Sequence, residues 1–153
     1  MQLVGFNLKK IKAEKSPEFK RSNINTNIEF TDVLKEKLEL LKDADAVRIS
    51  FIFTVNYTEA QAPEKKEKEE KEEEKKHAEV LFDGDVMLSA DKEESKEMLK
   101  LWKKKQIPEQ FRIPLINFIL KRCSVKALSL EEDLSLPSHI PFPQVRKPQN
   151  QDQ

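Results

Sequence analysis

The chain is poor in the residues on which most small-molecule chemistry relies, with two glycines, one cysteine and two histidines among 153 residues. A phosphate-cradling loop needs neighbouring glycines, so that backbone N–H groups can approach the phosphate. Gly5 and Gly84 are far apart, which excludes both a Walker-type and a dinucleotide-binding loop. Cys123 alone excludes an internal disulfide and any multi-cysteine zinc or iron–sulfur site. His77 and His139 belong to no ligand-spaced cluster. The expectation is a non-enzyme that needs no cofactor and no metal.

An excess of one charge is also missing: 28 basic residues balance 28 acidic ones. Proteins that grip a phosphate backbone generally carry a clear basic excess, so nucleic acid is not the expected partner. No apolar run approaches the ~20 residues that cross a bilayer, so membrane insertion is not expected. The opening MQLVGFNLKK lacks the order of a signal peptide. The expected address is therefore the cytoplasm, and the single cysteine agrees with it.

What the chain does have is charge, 37% of all residues, and it is unevenly spread. Glu64 to Lys76 is an unbroken run of Glu and Lys directly after Pro63. Such a run buries no apolar surface and builds no core. It reads either as a solvated loop or as a free-standing helix with pairs such as Glu64–Lys68 and Glu72–Lys76, each worth ~0.2–0.5 kcal/mol. A mobile, partly helical loop is favoured over a binding site. The expected organisation is one domain over residues 1–145, with 61–76 a charged mobile loop inside it and 146–153 a polar tail.

The first block alternates with period two, as half-buried strands do. Val4, Phe6 and Leu8 form one stripe, and Ile24, Thr26, Ile28 and Phe30 another. Val47, Ile49, Phe51, Phe53, Val55 and Tyr57 form the strongest, and Ala78, Val80, Phe82, Gly84, Val86 and Leu88 the fourth. Four stripes predict a four-stranded antiparallel sheet with one apolar face. Asp32–Lys42 reads as a short helix, with a bent continuation of the second strand as the alternative.

The second block has helical spacing. Ser89 or Asp91 is placed to cap a first helix, with Glu93 and Glu94 at the positive end of its dipole. Ile107-Pro108 ends it, and Pro114 is expected in the first turn of a second helix. That helix is apolar on more than one face, which predicts burial on more than one side and hence a partner subunit. The fold class is thus α+β, a four-stranded antiparallel sheet followed by two helices. Leu134–Val145, with Pro137, Pro141 and Pro143, is expected to run extended as a strap over the core.

Candidate chemistry is sparse. Glu131, Glu132 and Asp133 read as solvated surface, His77 as solvated, and His139 as a hydrogen-bonded structural residue. Cys123 reads as a small buried hydrophobe and Trp102 as packing. Lys103–Lys105 with Lys121 and Arg122 form a weak basic patch. Apolar surface without a chemical site remains. Grooves of that kind bind extended, unfolded chains, and edge strands add main-chain hydrogen bonds.

Several short motifs, in order, carry a resemblance. They are Gly5-Phe6-Asn7-Leu8, the stretch Ile49 to Tyr57, Phe82-Asp83-Gly84-Asp85-Val86, Arg112-Ile113-Pro114 and Leu134-Ser135-Leu136-Pro137. Over about residues 3 to 145, without the charged run, the chain resembles the SecB-like protein-export chaperones. That resemblance implies a SecB-like fold assembled as a homo-oligomer, a dimer of dimers. It implies an ATP-independent holdase that binds unfolded or precursor polypeptides in apolar grooves, with a link to export or to toxin–antitoxin pairs. Phe6, Leu8, Ile52, Phe53, Leu136 and Phe142 are the expected client-binding residues. Glu79, Asp83 and Asp85 are the expected docking surface for a basic partner, such as a translocase component. The alternative class is a nucleic-acid-binding α+β module using the lysine clusters.

Overall fold

The computed structural model describes residues 2–20, 22–37, 44–59 and 76–148. Most of the charged run, the end of the segment read as a short helix, and residues 149–153 lie outside them. Four long strands, β1 (Gln2–Lys15), β2 (Ser22–Glu36), β3 (Asp45–Glu59) and β4 (Lys76–Ala90), precede two helices, α1 (Lys92–Trp102) and α2 (Glu109–Asp133). All neighbouring strands pair antiparallel in the order β1-β4-β3-β2. The expected α+β architecture is the one observed.

The two strands with the strongest alternation, β3 and β4, take the centre, where both sides of the backbone are paired. Val47, Ile49, Phe51, Phe53, Val55 and Tyr57 are wholly buried on one face, opposite Ala78, Val80, Phe82, Val86 and Leu88. Gly84 keeps that stripe continuous where β1 comes closest. A Cβ there would lie 2.5 Å from the Asn7 carbonyl oxygen and 3.1 Å from the Phe51 ring. β1 shifts register beside it, between Leu8 and Lys10.

Asp32–Glu36 is strand, not helix. Thr31 is left out of the ladder between Phe30 and Asp32, and β2 then continues to Glu36 against Ala46–Ser50. Val33 is buried on the core side of that continuation, and the backbone ladder outweighs the helical spacing of its leucines. β1 and β2 are opposite edges, so the chain crosses the end of the sheet between them. There the Ser16 N–H donates to the His77 carbonyl at 2.7 Å, and the Phe19 ring stands edge-on to Tyr57 and His77.

α1 begins in a capping box. The Glu94 N–H donates to Asp91 Oδ1 at 2.7 Å and the Asp91 N–H to Glu94 Oε2 at 3.1 Å. Its Ser95 hydroxyl donates to Asp45 at 2.8 Å and ties the helix to β3. Hydrogen bonds from Lys35 and then Ser95 hold the Asp45 carboxyl below its ordinary value.

α2 begins a turn earlier than the spacing predicts. Phe111 and Arg112 both donate to the Pro108 carbonyl at 2.9 Å, so Pro108 opens the helix and Pro114 lies within it. The Pro114 ring is exposed, on the side away from the sheet. One stripe of α2 is buried, Phe111, Leu115, Ile119, Cys123 and Ala127. Ile113 and Val125 are exposed and Ile116, Phe118 and Leu120 half-buried, so the described residues leave the helix's surplus apolar surface uncovered.

Both helices end on a residue with positive φ that is not glycine, Lys105 at 57° and Ser135 at 53°. In each case the next N–H reaches back to the helix, Gln106 to Leu101 at 3.1 Å and Leu136 to Glu131 at 2.7 Å.

Candidate functional site

Beside β2, an edge strand among the described residues, lies an open cleft of about 910 Å³. β2 supplies Ile28, Glu29, Phe30 and Thr31, the α1–α2 connection supplies Trp102, Lys105, Gln106 and Ile107, and α2 supplies Glu109, Arg112 and Ile116. Each element is placed for a local reason. The unpaired Thr31 bends β2, Ile107-Pro108 forces the chain out of α1, and Pro108 starts α2 close by. Trp102 is steadied by the Lys105 ammonium, 4.8 Å from its ring centre. The floor is aromatic and aliphatic, and the rim carries two acids and two bases. A site so lined takes apolar side chains and tolerates either charge at their flanks.

A second polar centre lies under the strap. The Tyr57 hydroxyl donates to the Pro137 carbonyl at 2.6 Å, and Lys15 Nζ donates to the Leu134 carbonyl at 3.0 Å. His139 Nδ1 is 2.6 Å from Glu131 Oε1, and its Nε2 is 3.4 Å from the Ser124 hydroxyl. Burial, with the Glu131 carboxylate nearby, pushes the Tyr57 phenol far above its ordinary value. These residues clamp the strap to α2 and β3. Glu131 is thus a buried partner of His139 rather than solvated surface, because the strap returns over it.

His77, expected to be solvated, is 2% exposed. It is the extra residue where β4 shifts register against Tyr57 and Thr58, and the crossover's Phe19 packs on it. Neither ring nitrogen has a hydrogen-bond partner among the described residues. Cys123 is buried, and burial pushes its thiol up to about 11.

The expected client-binding residues are not gathered in one place. Phe53 and Leu136 belong to the core. Phe6 stacks on Phe51 at 5.8 Å, meets Phe118 edge-on at 5.7 Å, and lies under the Arg122 guanidinium. Leu8 is half-buried on the same strand, and Ile52 points to the sheet's other face. Phe142 stands exposed on the strap. None of the six lines the cleft. The residues that do were visible as a stripe (Ile28, Phe30), a packing tryptophan (Trp102) and a helix break (Ile107). Nothing in the sequence joined them.

Glu79, Asp83 and Asp85 do share the face away from the helices. Lys9 lies 3.7 Å from Asp83 and 3.4 Å from Asp85, Lys12 lies 3.5 Å from Glu79, and Ser50 donates to Asp85 at 2.7 Å. The acids are therefore largely neutralised by β1. Among the described residues no His, Cys, Asp and Glu side chains gather into a metal-binding group. No helix among the described residues is long and apolar enough to cross a membrane.

No family model matches the chain, and no curated protein does. Among solved structures, it is similar to a SecB-like chaperone of Mycobacterium tuberculosis, solved in complex with a ChAD peptide from an antitoxin. The TM-score is 0.46 at 16% identity, over 95% of this chain and 91% of that one.

Proposed function

We propose that the protein is an ATP-independent holdase that takes extended apolar segments of non-native polypeptides into the cleft beside β2. The observation that supports this reading is the conjunction of an open cleft, in which five apolar side chains stand among polar ones, with a strand edge that no described strand pairs. An extended client places alternate side chains among Ile28, Phe30, Trp102, Ile107 and Ile116 while its backbone pairs along β2. The mixed-charge rim admits clients of many sequences, which suits a holdase.

The assembly and the destination rest instead on the resemblance across residues 3 to 145. In this reading the chain works in the cytoplasm as a dimer of dimers, with the exposed apolar positions of α2 covered by a second copy, and serves precursors bound for export. A docking role for Glu79, Asp83 and Asp85 requires a basic partner to displace Lys9 and Lys12 from them.

The test is aggregation of a reduced or heat-treated client without nucleotide. Suppression at stoichiometric ratio is expected. Unchanged aggregation at several-fold excess of the protein sinks the proposal.

A further inference from the structure

The strap is fastened over only part of its length. Leu136 is buried, Pro137 accepts from Tyr57 and His139 is clamped by Glu131, whereas every residue from Ile140 to Pro148 is exposed. Phe142, at 58%, is a large apolar side chain left in solvent by a chain that otherwise buries its phenylalanines at least in part.

The last fastened residue is next to the cleft. The His139 ring stands edge-on to Phe53 at 6.2 Å. Phe53 pairs across the ladder with Ile28, which lines the cleft. Neighbouring strands are only ~4.8 Å apart, and three extended residues from His139 to Phe142 span about 10 Å. The two steps add to about 11 Å, which the ~10 Å of backbone and the length of the Phe142 side chain together cover.

The segment also has the chemistry the cleft takes. Pro141 and Pro143 hold both sides of Phe142 extended, so docking costs little chain entropy. Extended proline-rich segments are one class of chain that docks on aromatic-lined grooves. Arg146 and Lys147 follow and carry the charge opposite to the rim acids Glu29 and Glu109.

We infer that Pro141-Phe142-Pro143 is a built-in competitor: it swings about the clamped His139 to seat Phe142 in the chain's own cleft, and a client must displace it. The structure holds the open arrangement. The seat is a property of this chain alone, but its role as a competitor rests on the holdase reading.

Trp102, the chain's sole tryptophan, lines the cleft and reports the seat directly. Its emission and acrylamide quenching are compared in the full chain, in Phe142→Ala, and in a chain ending at Ile140. Because Phe142 is exposed in the open arrangement, Phe142→Ala keeps the fold, and its thermal midpoint falls by no more than the seat itself contributes. Both variants are expected to shift Trp102 emission to the red and raise its quenching. A peptide covering residues 138–148, added to the shortened chain, is expected to restore protection, and the same peptide with Phe142→Ala is not. Identical emission and quenching in all three chains overturns the inference, as does protection that disappears on dilution, which would place the contact between copies. If the segment fills the cleft about nine-tenths of the time, its removal tightens binding of an unfolded apolar peptide about tenfold. A Trp102 response without any peptide binding leaves the seat standing and removes the holdase reading. Peptide binding without a Trp102 response does the reverse.

Discussion

His139 Nδ1 lies 2.6 Å from Glu131 Oε1, with both side chains all but removed from solvent, at 2% and 1% exposure. The same carboxylate accepts the His139 backbone N–H at 3.3 Å, and the Glu131 carbonyl accepts the Leu136 N–H. One residue of α2 thus anchors the strap three times. Removing one partner of a buried polar pair strands the other, at a cost of about 3 kcal/mol. His139→Ala is expected to lower unfolding stability by that order in urea titration. Glu131→Leu combined with His139→Phe, which removes both polar groups, is expected to recover much of the loss. A single variant that unfolds at the wild-type urea midpoint contradicts the anchoring role.

Tyr57 is the chain's sole tyrosine, so its ionisation is read directly by ultraviolet absorbance. Burial first, and the Glu131 carboxylate second, raise its folded pKa above the unfolded value near 10. A raised acid pKa stabilises the fold fully below the unfolded value, and the stability is lost as pH rises from there toward the folded value. No phenolate is therefore expected in the folded protein at pH 10, where a free phenol is about half ionised. Phenolate is expected to appear together with loss of far-ultraviolet circular dichroism. Smooth ionisation near pH 10 with the fold intact is the opposing result.

Trp102 and Phe53 separate binding from packing. Trp102 lines the cleft and is half-buried, while Phe53 is stacked on Phe82 at 5.8 Å inside the core. Trp102→Ala is expected to weaken unfolded-peptide binding by about 2 kcal/mol, as truncating a central aromatic does, with a small change in thermal midpoint. Phe53→Ala is expected to cost about 3–5 kcal/mol of stability. Calorimetry and titration with a labelled peptide read the two effects. Equal loss of affinity and stability in Trp102→Ala would return Trp102 to a packing role.

The helix ends offer a gain. Left-handed backbone costs an ordinary residue roughly 1–2 kcal/mol, which glycine largely avoids. Glycine also adds freedom to the unfolded chain, so Ser135→Gly is expected to stabilise by about 0.5–1 kcal/mol, and Lys105→Gly by less, because it also removes the ammonium from the Trp102 ring. Raised urea midpoints with an unchanged slope are the expected record, and lowered midpoints the refutation.

The period-two stripes of β3 and β4 were legible because burial on one face of a strand leaves its mark on every second residue. α1 was legible from Asp91 and Glu94, whose side chains act on backbone groups within one turn. Pro114 misled because Pro108 answers the same local requirement six residues earlier. Val33, Leu34 and Leu38 carry helical spacing, yet Val33 faces Ile49 across a ladder that no local pattern announces. Glycine scarcity hid the two left-handed helix ends, since Lys105 and Ser135 fill positions where glycine would have marked them.

The candidate site shows the same division. Ile28 and Phe30 read as part of a strand stripe and Trp102 as packing. That they share a cleft depends on β2 being an edge, which follows from the strand order and not from alternation. The solvated reading of Glu131 failed because His139 reaches it only when the strap folds back, and that of His77 failed because a register shift turns it under Phe19. Alternation, capping and helix breaks act between residues a few positions apart, so the chain's letters carry them openly. Edges, clefts and buried charges arise where segments distant in sequence meet, and what is exposed there is set by which partner arrives.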